Sequence, residues 1–181
     1  MRIDDVVAKL VEQTQADDQA KLQQVKDTLR LPEKREAAQR YADAIARRAT
    51  EISGILRETD ISPRHRAQIV KDRPGLEPYF TALDDKRADL ERVSFAQQSK
   101  LQRAIVRYDK LSLEDLVPRV PFEYWEQTAF GPLSPTIWKL YEALGNAIPL
   151  ADVDVAIERV RTAHAVLTER LSAVASSRQA G

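Results

Sequence analysis

The sequence has no cysteine, two histidines, one methionine and five glycines among 181 residues. Without cysteine it has no disulfides, no thiolate zinc site and no cysteine nucleophile. His65 and His164 leave little for imidazole acid–base or metal chemistry. No apolar run approaches the eighteen or so residues of a membrane-spanning helix. Charge of one sign is not in excess, since 28 basic and 28 acidic side chains cancel. That balance excludes a histone-like binder acting by bulk charge. Glycine is the most informative shortage. None precedes Gly54, and the others are Gly75, Gly131, Gly145 and Gly181. Strand-rich domains need turn residues roughly every ten positions. A glycine-free start rich in alanine, glutamine and arginine therefore reads as long helices with few corners. With these glycines no Walker loop, dinucleotide fingerprint or G-x-S-x-G elbow can be written.

Charged residues make up 31% of the chain and the hydrophobic set 43%. That suffices to build a core in one domain or two small ones. The start, Met1-Arg2-Ile3-Asp4-Asp5, leads into mixed polar and apolar residues without a signal-peptide core. A soluble, cytoplasmic protein is expected.

Apolar residues recur at helical spacing along most of the chain. Residues 3 to about 31 read as the first helix, with Ile3, Val6, Val7, Leu10 and Val11 as one stripe and Leu22, Val25 and Leu29 as another. The polar stretch between them allows a kink. Leu31-Pro32 marks a stop, because the residue before proline disfavours helix. A second helix has Pro32 near its start, where a missing N–H costs nothing, and carries Ala38, Tyr41, Ile45, Ile52 and Ile55, interrupted by Arg48 and containing Gly54. Ser62-Pro63 signals the start of a short basic helix. Residues 77 to 111 form the longest periodic segment, with Arg87, Ser94 and Gln97 as polar breaks in its seam. Such breaks fix register at some cost in stability. Residues 112–149 hold five of the nine prolines and six of the eleven aromatics. Short helices are expected there from Pro121 to about Phe130 and from Ser134-Pro135 to Leu144. The last helix, about Leu150 to Ala175, has the cleanest seam, with His164 inside it.

Charge is unevenly spread. Residues 1–60 carry 11 basic and 12 acidic side chains, residues 61–111 carry 11 and 7, and residues 112–181 carry 6 and 9. The basic stretch of Arg64, Arg66, Lys71 and Arg73, continued by Lys86, Arg87 and Arg92, is a candidate for phosphate contact. Acidic neighbours dilute it. A helix-turn-helix over 135–161 is disfavoured by Asp152 and Asp154, which would repel phosphates. Three residues before His65 stands Ser62, and three before His164 stands Arg161. The Glu-x-x-His ligation of a di-iron bundle is therefore absent.

The run Arg159-Val160-Arg161-Thr162-Ala163-His164 resembles the arginine–four residues–histidine spacing of HEPN ribonucleases, which are all-α bundles. The resemblance implies an RNA cleft lined by Arg159 and His164, commonly across a dimer. The sequence departs from that pattern at Val160, where HEPN proteins usually place a polar residue.

Aromatic side chains are enriched at interfaces, and proline pre-orders the segment that carries them. Phe122, Tyr124, Trp125, Trp138 and Tyr141 are accordingly the candidate partner-binding residues. The expected fold is all-α, an antiparallel helical bundle with long coiled-coil-like helices and a short aromatic- and proline-rich elbow. Its segments, read as one domain overall, are a long helical hairpin or coiled-coil region over 1–111, the elbow over 112–149 and a C-terminal helix over 150–181 that packs back on the bundle. The expected function is a non-enzymatic helical protein-interaction subunit, such as an adaptor, chaperone-like or scaffold component. Its partner would be another protein or a second copy, without cofactor, metal or membrane. The alternatives are RNA cleavage by Arg159 and His164, and nucleic-acid contact through the segment 64–92.

Overall fold

Helix starts and stops follow the capping chemistry of the sequence. The computed structural model describes residues 3–116, 126–128, 131–145 and 149–179. Its helices are α1 (Ile3–Thr28), α2 (Leu31–Glu58), α3 (Pro63–Asp72), α4 (Glu77–Glu91), α5 (Gln97–Asp109), α6 (Pro135–Gly145) and α7 (Leu150–Gln179). The chain is all-α apart from β1 (Glu126–Thr128) and β2 (Gly131–Leu133).

Ser62 caps α3, its hydroxyl accepting from the His65 N–H at 3.2 Å. Ser134 does the same for α6, accepting from the Ile137 N–H at 3.4 Å while donating to the Asp115 carbonyl at 2.8 Å. The α1–α2 break has a cause other than the expected one. α2 begins at Leu31 itself, with Pro32 in its first turn, where no N–H is needed. The break is made by Arg30, whose φ of 52° lies in the left-handed region. α1 runs unbroken through the polar stretch where a kink was allowed.

The segment 77–109 is helical throughout, but residues 92–96 between α4 and α5 form a π turn. Polar breaks of the seam find partners there and nearby. Ser94 is fully buried and donates to the Leu90 carbonyl at 2.5 Å. The Tyr41 hydroxyl donates to the Val93 carbonyl at 2.8 Å. Burial, and then the nearby Asp152 charge, hold that phenol above its usual range. Arg87 closes the C-terminal end of α2, donating to the Leu56 carbonyl at 2.8 Å and to the Thr59 hydroxyl at 3.1 Å. A cation at the last carbonyls of a helix is where the backbone dipole favours it.

The short helix expected over 121–130 is corrected in its described part. Residues 126–128 pair antiparallel with 131–133, Glu126 opposite Leu133 and Thr128 opposite Gly131. Pro132 donates no hydrogen bond, and a two-stranded ladder is all edge, where proline is tolerated.

The chain forms two compact units that interleave along the sequence. The first comprises residues 1–40 and 100–147. Its core contains Leu22, Leu29, Leu31, Leu101, Ile105, Leu111, Ile137, Leu140 and Leu144, all buried. Arg35 clamps Asp109 with two parallel hydrogen bonds at 2.8 and 2.9 Å.

The second comprises residues 41–99 and 148–181. Its core is Ile45, Ile52, Phe80, Leu83, Leu90, Val153, Ile157, Val160 and Leu167. Here the helical segment from α4 into the first turn of α5 runs antiparallel to α2, and α4 runs antiparallel to α7. Arg87 meets Leu56 while Gln98 meets Ala42, and Tyr79 lies under Arg170 while Lys86 lines a groove with Ala163. Arg48 and Glu51 of α2 pair with Asp154 and Arg161 of α7, so those two helices run parallel. Among the described residues no helix is long and apolar enough to cross a membrane.

Candidate protein-interaction surface

Trp138 and Tyr141 sit one turn apart on α6, half-buried and stacked, with ring centroids 5.4 Å apart and planes 20° from parallel. The Lys34 ammonium lies 4.7 Å from the Tyr141 centroid. Part of the pair's aromatic surface is thus engaged inside the first unit. Phe122, Tyr124 and Trp125 lie outside the described residues.

Three members of the basic stretch, Arg66, Arg87 and Arg92, have partners within the chain. Arg66 bonds Glu77 at 2.5 Å and Asp84, with its guanidinium 5.5 Å from the Phe80 ring centroid. These bonds raise its pKa further, the Glu77 hydrogen bond most. Arg87 is held by α2, and Arg92 bonds Asp89 at 2.8 Å. Arg64 is exposed and Arg73 half-buried, while Lys71 shares a hollow of about 590 Å³ with Arg66. A different basic face runs along α5 to Lys110, just past its end. Lys100, Arg103, Arg107 and Lys110 are all exposed at three–four–three spacing, opposite the buried Leu101, Ala104 and Ile105. Counting along the solvent side of the 77–111 seam would have found it.

Arg159 and His164 lie five positions apart on α7, hence about 140° apart around the helix. Arg159 is exposed and lines two adjoining hollows, one with Asp89, Arg92 and Asp152 and the other with Lys86 and Thr162. His164 is half-buried and lines neither.

The feature that sequence reasoning missed is at the beginning of α1. Its tail is anchored in the first unit, with Leu22 and Leu29 5% and 2% exposed. Most of its head is bare: Ile3, Val7, Leu10 and Val11 are 81%, 52%, 59% and 49% exposed, while Val6 is half-buried. These four account for half of the large apolar side chains left exposed among the described residues. Clusters of this kind are uncommon on a surface with no partner. The stripe was visible from its spacing, but spacing does not say whether a neighbour covers it. The flanks are acidic, with Asp4, Asp5, Glu12, Asp17 and Asp18 against Lys9 over residues 3–18.

No family model, no curated protein and no solved structure matches this chain.

Proposed function

We propose that this chain is a non-enzymatic, cytoplasmic helical protein-interaction subunit, acting as an adaptor, chaperone-like or scaffold component of a larger assembly. The observation that carries the reading is the bare apolar stripe Ile3, Val7, Leu10 and Val11 on the head of α1. Burying such side chains gains roughly 1.5–3 kcal/mol each. An isolated helical overhang gains none of this until a partner arrives. The half-exposed Trp138–Tyr141 pair offers a second contact point on the same unit.

The test is capture of partners by the full chain, wild type against Leu10→Glu. Loss of bound protein with unchanged helicity by circular dichroism supports the reading. Identical captured material from both chains sinks it.

A second reading is favoured by the basic face of α5. Lys100, Arg103, Arg107 and Lys110 span about 15 Å of helix and suit a polyanion. A salt-dependent shift of labelled RNA or DNA that Arg103→Glu with Arg107→Glu abolishes would establish it. No shift at low salt removes it.

A further inference from the structure

The second unit carries a surface that complements the α1 head. Val155, Arg159, Thr162 and Val166 recur at four–three–four spacing on the outer side of α7, with Val155 and Val166 47% and 37% exposed. Ile3, Val7, Leu10 and Thr14 recur at the same spacing on α1. Both stripes span twelve residues, eleven steps or about 16 Å of helix. Beside the α7 stripe an open groove of about 530 Å³ runs against α4, reached by Lys86.

The charges of this groove are unbalanced in a specific way. Its two acids are already taken, Asp154 by Arg48 and Glu158 by Arg161 at 2.8 Å. Lys86 and Arg159 have no ion-pair partner among the described residues. The groove is therefore apolar with two unanswered positive charges. The α1 head is apolar and acidic in composition, with five acids against Lys9 over residues 3–18, of which Asp18 is paired with Lys21 at 3.6 Å. A head-to-head pairing of two copies would bring acidic flanks together. A head-to-groove pairing matches apolar to apolar and acid to base.

We propose that the occupant of the α4–α7 groove is the α1 head of a second copy of this chain, reciprocally exchanged in a two-fold dimer. It packs along α7 as a fourth helix against the three-helix second unit. This rests on the interaction reading above and names its partner.

The experiment is sedimentation equilibrium of the full chain over a range of concentrations. The wild type is expected to rise from the 20.5 kDa monomer toward twice that mass. Leu10→Glu breaks the head, and Lys86→Glu with Arg159→Glu breaks the groove. Each variant raises the dimer dissociation constant roughly tenfold or more. Circular dichroism and urea unfolding confirm that both stay folded. Mixing the two variants restores one head–groove contact, so a mixed dimer forms where neither variant dimerises alone. A wild type that stays monomeric, a groove variant as dimeric as the wild type, or a mixture without mixed dimer overturns the proposal. A monomeric wild type that still loses a different captured protein through Leu10→Glu overturns this inference alone. A Leu10→Glu chain unchanged in both mass and captured protein overturns the interaction reading as well.

Discussion

Two helical stretches of this chain carry long apolar seams with polar interruptions, and they meet opposite fates. The segment Glu77–Asp109 buries Phe80, Leu83, Leu90, Leu101 and Ala104, and its polar breaks Arg87 and Ser94 each find a carbonyl. In α1 the seam is buried only at its tail, and the head stands in solvent. The periodicity is the same. The difference lies in whether a second helix is present to answer it, so a seam by itself measures demand for a partner and not its supply. The largest expected effect tests this directly. Leu90→Ala, at a position with no exposure, should cost about 2–5 kcal/mol in urea unfolding. Leu10→Ala on the bare head should stay within about 0.5 kcal/mol, measured dilute enough to keep the chain monomeric. Equal costs would mean that the head is packed and the contrast is wrong.

The next test probes how the well-packed seam tolerates its irregular middle. A π turn displaces the backbone ladder, and at this one the Val93 carbonyl receives the Tyr41 hydroxyl from α2. Tyr41→Phe keeps the ring and leaves that buried acceptor unpaired. The expected loss is about 1–3 kcal/mol. A loss near zero would indicate that the turn does not depend on α2.

The all-α class, the helices and most of the core were legible because they follow from apolar spacing and from serine–proline starts such as Ser62-Pro63 and Ser134-Pro135. What escaped has a physical reason in each case. Residues 126–128 and 131–133 are too short for a period, and Pro132 argues against a strand unless it lies at an edge. The π turn keeps the same side chains apolar while shifting the ladder beneath them. Within the basic segment at 64–92, sequence does not disclose that Glu77 and Asp84 face Arg66, or that Arg87 reaches α2. The bare α1 head escaped for the converse reason, since its spacing matches that of a buried stripe.

A smaller effect sharpens the account of α2, which supplies partners to the well-packed seam. Gly54 lies inside this helix, and a Cβ built there meets nothing within 4 Å. Close packing therefore does not require it. Gly54→Ala should stabilise the protein by roughly 0.5–1 kcal/mol, because glycine loses more backbone freedom on folding than alanine. A destabilised variant would point to a contact the static arrangement lacks.

The smallest effect sits where the well-packed seam ends. Asp109 closes α5 and is clamped by Arg35, whose hydrogen bonds hold its carboxyl below the usual carboxylate range. A carboxyl depressed in the folded state binds its proton more weakly there than in the unfolded chain. Its stabilising contribution is therefore full above the unfolded value of about 3.9 and fades as pH falls toward the depressed folded value. Both partners are substantially exposed, so the contribution is modest and screened by salt. Carboxyl NMR should place the Asp109 midpoint below about 3.9 in the wild type and near it in Arg35→Gln. The stability gap between the two proteins should be flat near neutrality and close under acid. A midpoint that Arg35→Gln leaves unmoved would show that the clamp is absent in solution, leaving the end of this helix as lightly held as the head of α1.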